Sequence, residues 1–390
     1  MQLIRDRRAR RVNADPFRGI VHVDQSVCYD LLASLLVLYS PRMFPSFRHW
    51  SAAARKLMPA DLWEEGRSFF QGQERCVGFG VVRMIPDLPH PSTPATLLSA
   101  LRRADVTKTA LYMLEGPGGL SSERLEAFEK LLAGGKTQAR VRAAMRGLSP
   151  ARKTRFEAVL KDPKGEKDRL VRFISGYLDL VFKREADRLA APLREAAKLA
   201  HDTLAVLPSA DAIERVTGGY TLSTELSLAR IIVAPSAFLY PAVACRIDER
   251  KAEAFILYGV ASPHIEGSDS SAALGGGVMI ALRALSDPNR LQILRLVSER
   301  PRLTSELVAK LALSQPAVHH HIRELWAAEL VRQERTRNGM LCAIREDGVR
   351  RVIGALSDLV DAEGAHRHAQ AVVTTLRRGG RQESPRVQLR

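Results

Sequence analysis

The sequence carries only four cysteines in 390 residues, and Cys28, Cys76, Cys245 and Cys342 lie far apart with no CxxC pair. That scarcity excludes a disulfide framework and a zinc knuckle, and it fits a reducing compartment. There is no apolar run of about 18 residues, the minimum for a membrane span. The opening MQLIRDRRARR has neither the apolar stretch nor the cleavage site of a secretory signal. A soluble, cytoplasmic protein with no membrane partner is expected. Catalytic signatures are missing too: no GxSxG, no Walker loop, no GxGxxG behind a strand and no HExxH. The glycine clusters GPGGL (116–120) and GGG (275–277) lack a following lysine and read as turns. Ser236 follows an apolar run, but no His or Asp is placed near it by sequence. No enzyme activity and no cofactor are expected.

What the chain has in excess is positive charge. Lys and Arg number 59 against 43 acidic residues, for a net charge of +16 and an isoelectric point near 10.1. Such a balance favours an anionic partner, nucleic acid above all. Half of the surplus sits at the two ends, since residues 1–11 and 377–390 each hold five Arg and one acid. Such tails are usually solvated and strengthen phosphate binding without selecting a sequence.

The fold class expected is mainly α: a helical N-terminal domain with a small β-containing segment, then a winged helix-turn-helix of α+β type. Residues 1–19 read as a basic tail. Residues 20–261 read as a mostly helical sensory or scaffold domain, with apolar residues at three- and four-residue spacing and starts marked by Ser or Thr before Pro or Glu. Between Glu166 and Leu207 the pattern allows one long helix or two, because Pro192 should kink or divide it. After Pro208, LARIIVAPSAFLY, PAVACRI and AEAFILYGV predict three strands near 228–260. The Gly-, Ser- and Ala-rich stretch 262–277 reads as a linker, 278–362 as the winged helix, and 363–390 as a basic tail.

The module at 278–362 is densely punctuated. VMIALRAL predicts a helix, and Asp287 caps the next one with Pro288 at its first position. In that helix Leu291, Ile293, Leu294, Leu296 and Val297 form a broad buried stripe. Thr304 caps the short helix SELVAKL, Ala312 and Leu313 make a tight turn, and Ser314 caps a helix that starts Gln315, Pro316. Two short helices so joined form a helix-turn-helix, whose second helix enters a DNA major groove. Then LVRQERTRNGMLCAIRE predicts two strands, with Asn338 and Gly339 supplying positive φ angles in a two-residue turn. This wing carries Arg332, Arg335, Arg337 and Arg345. In the last helix Val352, Ile353, Leu356 and Leu359 share a side that could pair with a second copy.

The run His319, His320, His321 invites a metal, but successive helical residues point about 100° apart, whereas chelation from a helix needs i,i+3 or i,i+4 spacing. The three imidazoles therefore cannot converge on one ion. Val318, Ile322 and Leu325 define the buried side with His321 flanking it as a packing or capping residue, while Gln315, Pro316, His319, His320, Arg323 and Trp326 face outward. The residues expected to meet DNA are Thr304, Ser314, Gln315, His319, His320, Arg323, Arg335, Arg337 and Asn338. Tail residues Asp361, Glu363, His366 and His368 are metal-ligand types, but Gly364 interrupts them and a solvated tail is the better reading.

LSDPNRLQIL, SELVAKLALSQPAVHHHIREL and the Asn-Gly wing, over about residues 279–350, closely resemble the arsenic-repressor-like (ArsR/SmtB) winged-helix regulators of bacteria. The resemblance implies a homodimer on double-stranded operator DNA, usually repressing until an effector changes the dimer's geometry. It implies that Val278–Leu285 and Glu346–Ala362 form the dimer interface. Two departures stand out. Metal-sensing members often carry cysteines on the helix before the turn, where this chain has SELVAKL. The usual AGLV at the end of the recognition helix is AELV here, which puts Glu329 at a position suited to left-handed backbone. ARIIVAPSAFLYPAV with FILYGV also resembles the long N-terminal extension of some actinobacterial-type members. The function expected is a sequence-specific regulator whose N-terminal region binds a small-molecule effector or extends the dimer. The alternative is a protein-interaction adaptor whose winged helix no longer reads DNA.

Overall fold

In the computed structural model the structure describes residues 15–41, 43–72, 76–116, 120–134, 137–261 and 276–358. They form two compact units: residues 15–261 together with 334–338, and residues 276–333 together with 339–358.

The first unit begins with strand β1 (Val21–Val23) and helix α1 (Val27–Tyr39). The α1 sequence VCYDLLASLLVLY is apolar all round, as a helix surrounded by protein must be. Tyr29, Leu31, Leu32, Leu35 and Val37 are all fully buried. Helices α2 (Arg48–Lys56), α3 (Ala60–Phe70), α4 (Pro94–Arg103), α5 (Val106–Glu115), α6 (Ser122–Leu132), α7 (Gln138–Ala144) and α8 (Pro150–Lys161) follow, with a 3-10 stretch at Gly78–Asp87 between α3 and α4. Their starts are written locally: Thr93, Asp105, Ser121, Thr137 and Ser149 each accept the backbone N–H three residues on.

Helix α9 (Pro163–Tyr177) passes through a single π-helical segment, Leu178–Phe182, into α10 (Lys183–Val206). The run stays helical through Pro192, so of the two alternatives the undivided helix is the one found; the irregular turn lies upstream, where Tyr177 and Phe182 are buried. Helix α11 (Ser209–Thr217) and the short strand β2 (Tyr220–Leu222) lead to the three expected strands, β3 (Arg230–Ser236), β4 (Val243–Asp248) and β5 (Glu253–Gly259).

Their order was not readable from the chain. The sheet runs β1-β3-β5-β4. β3 lies parallel to β1, with Val21 opposite Ile231, and parallel to β5, with Ile231 opposite Ala254. β4 pairs antiparallel with β5 at the edge. The runs IIVAPS and AFILYG read as continuous apolar stretches because central parallel strands are covered on both faces. Residues 15–19, expected to belong to the solvated tail, are instead packed: Phe17 is buried, and Asp15 accepts both the backbone N–H (2.8 Å) and the hydroxyl (2.7 Å) of Ser209. Residues 1–14 and 359–390, which hold the basic ends and the 361–368 cluster, lie outside the described residues, as does 262–275 of the expected linker.

The second unit contains α12 (Gly276–Leu285), α13 (Pro288–Glu299), β6 (Arg302–Leu303), α14 (Thr304–Leu311), α15 (Gln315–Ala327), β7 (Val331–Thr336), β8 (Gly339–Ile344) and α16, residues 346–358. Gly276 and Gly277, read from sequence as a turn, begin α12. Ile293, Val297, Leu307, Val318, Ile322, Leu325, Leu330 and Cys342 supply the core. The buried stripe of α13 is narrower than expected, since Leu291 is exposed.

Candidate nucleic-acid interface

Four local devices hold helices α13, α14 and α15. Asp287 accepts the backbone N–H groups of Asn289 (2.9 Å) and Arg290 (3.0 Å), fixing the start of α13. Burial tends to raise the pKa of that carboxyl, but hydrogen bonding from Arg290 and its charge outweigh burial and hold it below the ordinary value. Ala312 takes left-handed backbone, φ 52°, and this single residue turns the chain between the helices. Ser314 caps α15 by accepting the N–H of Ala317 at 3.4 Å. The far end of α15 closes in a Schellman arrangement: the Glu329 N–H donates to the Trp326 carbonyl and the Leu330 N–H to the Leu325 carbonyl, both at 2.9 Å. Glu329 has φ 57°, as its place in AELV predicts, at a cost of about 1 kcal/mol relative to glycine. Its carboxylate pairs with Arg351 of α16.

Along α15 the residues sort by face. Val318, Ile322 and Leu325 are buried, and Ser314, Gln315, Pro316, His319 and His320 are exposed. Gln315 reaches His319 across one turn (3.5 Å), and Arg323 donates to His320 Nδ1 at 3.0 Å. The surrounding protein disfavours the charged forms of His319 and His320, lowering both pKa values, so both rings are neutral at pH 7. A neutral imidazole offers one donor and one acceptor. His321 points inward with its Nδ1 3.8 Å from the Asp287 carboxylate, a neighbour of the α13 cap rather than part of the exposed face. The ring centroids of His320 and His321 stand 5.7 Å apart and tilted.

Three sequence expectations are corrected here. Thr304 is buried, and its hydroxyl donates to the Met340 carbonyl at 3.1 Å, so it joins the helix pair to the wing and presents nothing outward. Trp326, read as outward-facing, is buried. In the wing the two turn residues are Arg337 and Asn338; among Asn338 and Gly339 only Gly339 has positive φ, 128°. Glycine alone accepts that backbone without strain, and it aligns β8 against β7. Arg337 and Asn338 are exposed at the wing tip, while Arg335 is half-buried. β6 pairs antiparallel with β8, Arg302 opposite Cys342. The Cys342 thiol is pushed up to about 12 by burial, and Cys28, Cys76 and Cys245 to about 11, 12 and 11, so none offers a thiolate near neutral pH.

A pairing that sequence could not reveal lies in the first unit. Ser236, at the end of β3, donates to Asp30 of α1 at 2.9 Å across 206 positions. The pair is fully buried.

Residues 287–333 match the family model described as bacterial regulatory protein, arsR family. The chain is 33% identical over 78 residues, 20% of its length, to the nodulation protein NolR of Rhizobium meliloti. Over 51 residues, 13% of its length, it is 41% identical to the uncharacterized HTH-type transcriptional regulator MJ0229 of Methanocaldococcus jannaschii. The matches span 64% and 54% of those relatives. No solved structure matches the chain. Among the described residues no helix is long and apolar enough to cross a membrane. The stretch from Asp287 to Gln333, with its capped helix pair and the start of β7, is thus similar to the helix-turn-helix of the bacterial arsR regulatory proteins.

Proposed function

We propose that the chain is a sequence-specific DNA-binding transcriptional regulator, acting as a homodimeric repressor whose first unit receives a small-molecule effector. The observation that carries this reading is the outward face of α15. It presents the exposed Gln315, His319 and His320, with the half-buried Arg323 beside them, as a polar, uncharged-to-basic strip on a rigidly capped helix, with Arg337 and Asn338 exposed on the wing. Gln and Arg side chains pair with adenine and guanine edges in the major groove, and a wing arginine meets phosphate or minor groove. Ser314 and the first N–H groups of α15 suit a phosphate at a helix N-terminus.

The experiment is a binding titration against genomic fragments that the protein retains and against random duplex, over a range of salt. Arg323→Ala and His319→Ala are expected to cost about 1–3 kcal/mol on the retained fragments and little on random DNA. Arg337→Ala is expected to weaken both alike and to reduce the salt slope by about 1. Equal losses on both DNAs for Arg323→Ala would remove it from base readout, and absence of any retained fragment would end the regulator reading.

The dimer rests on apolar side chains left uncovered on the second unit. Ile280 of α12 and Ile353 and Leu356 of α16 are 45%, 58% and 40% exposed; Leu359 lies outside the described residues. Helical faces of this kind are buried in self-complementary interfaces. Light scattering at micromolar concentration is expected to give twice the chain mass, falling toward one chain mass in Ile353→Lys. A monomeric parent protein at that concentration contradicts the dimer.

A further inference from the structure

We infer that a cleft in the first unit is a binding site for a small carboxylate with an apolar body. Its role as effector site rests on the regulator reading above; its ability to bind does not. The cleft lies between the 3-10 stretch Gly78–Asp87 and the β4–β5 edge of the sheet, and encloses about 50 Å³. One water needs roughly 10–15 Å³, so the enclosed part has room for a carboxylate and the first few carbons behind it. Phe79, Val82, Pro86, Ala244 and Phe255 make its apolar walls.

The polar floor is unusual in how its charges are spent. Glu115, whose side chain is 1% exposed, sits behind the cleft and is gripped by two guanidinium groups. Arg83 donates to both of its oxygens, at 2.7 and 2.8 Å, and also pairs with Asp248. Arg246 meets Glu115 through Nη1 alone, at 2.5 Å. Both terminal nitrogens of Arg83 are thereby committed to carboxylates. Arg246 is not: its side chain is only 14% exposed, yet Nε and Nη2 have no protein acceptor among the described residues. Those two donors are not among the buried polar atoms left without a partner, so solvent reaches them; an entering carboxylate can replace that water, and the planar fork of the guanidinium matches its two oxygens. Lys251, on the turn between β4 and β5, lines the same cleft and its ammonium also has no acidic partner among the described residues. The Glu115 clamp orients Arg246, and Lys251 adds a second positive charge at the rim.

Asp87 stands on the rim as well, exposed and likewise without a partner among the described residues. It disfavours a second anionic group on the ligand and favours a hydroxyl or ammonium there. The two other acids on the wall are paired, Asp248 with Arg83 and Glu253 with Arg230 at 3.4 Å. The site therefore selects a monoanion with a hydrophobic body over a dicarboxylate or a free phosphate.

The test is calorimetry on the full chain with benzoate and isovalerate, against benzamide, benzylamine and inorganic phosphate at equal millimolar concentration. The two carboxylates are expected to bind, and the other three at least about tenfold more weakly, because only the carboxylates join a charge-assisted pair to apolar contact. Arg246→Gln, in which Arg83 still holds Glu115, is expected to weaken benzoate about tenfold or more. Lys251→Gln, an exposed position that leaves the core intact, is expected to weaken it about threefold. Benzamide binding as well as benzoate, benzoate affinity unchanged in Lys251→Gln, or no carboxylate bound at all would each overturn the site. The heat is read without DNA, so failure to retain DNA leaves this site standing, and failure to bind benzoate leaves DNA recognition standing.

Discussion

Gly348→Ala is expected to lower the stability of the second unit by about 2 kcal/mol, a sign opposite to what helix propensity alone gives. Gly348 lies within α16, where Ala is ordinarily better than Gly by roughly 1 kcal/mol. A Cβ at this position would stand 1.9 Å from the Glu329 carbonyl oxygen and 2.9 Å from its carbonyl carbon. Both are backbone atoms at the Schellman end of α15, which cannot swing aside as a side-chain tip would. Either α16 moves away or the end of α15 is redrawn, and overpacking of this kind costs typically 1–3 kcal/mol or more. For a unit of this size each kcal/mol shifts the melting midpoint by roughly 4–8 °C. Because Glu329 closes the helix that carries His319 and Arg323 through its N–H, operator affinity is expected to fall with stability. Urea denaturation with hydrogen exchange over residues 315–344 reads the effect locally. An alanine variant as stable as the parent, or more so, shows that α16 does not approach α15 this closely.

Asp30→Asn is expected to remove a pH dependence from the first unit and to stabilise it at pH 8. Asp30 is fully buried in α1. Its Oδ1 accepts from the Ser236 hydroxyl (2.9 Å) and the Phe238 N–H (3.0 Å), whereas Oδ2 has no partner among the described residues. Burial pushes its pKa up to about 7 from the ordinary 3.8, against the lowering effect of those hydrogen bonds. The unfolded chain thus ionises this carboxyl at lower pH than the folded chain does. The folded state keeps its full advantage below about pH 4, loses on the order of 1.4 kcal/mol per pH unit between the two pKa values, and is flat above about pH 7. Asparagine retains the Oδ1 acceptor and never ionises. Denaturation midpoints of parent and variant are expected to nearly coincide at pH 4.5 and to separate by several kcal/mol at pH 8, with the variant the more stable. Parallel pH profiles would mean that Asp30 is already satisfied as an anion.

The corrections share one cause. Punctuation that acts within a few residues was legible: the caps at Asp287 and Ser314, the tight turn at Ala312, and Glu329 standing where glycine is usual all appear as written. Thr304 was misassigned because a cap and a buried hydroxyl look alike until the Met340 carbonyl arrives from 36 positions away. Trp326 lies at the edge of the buried arc of α15, and side-chain spacing alone does not say how wide that arc is. Pro192 signalled a break, but a helix held by tertiary packing tolerates one missing N–H.

By itself, the sequence determined the helix-turn-helix and its wing, because caps, turns and an amphipathic period are encoded by neighbours and need no distant partner. It determined that Gln315, His319 and His320 stand away from Val318, Ile322 and Leu325, though not the place of Trp326, and that three adjacent histidines cannot gather on one ion. Only the tertiary structure decided that β1 joins β3 across some 200 positions, that Asp30 meets Ser236, and that Arg246 and Arg83 share one buried Glu115 beneath a cleft. Those are contacts between residues remote in sequence, fixed by which apolar surfaces pack together, and no local pattern carries that information.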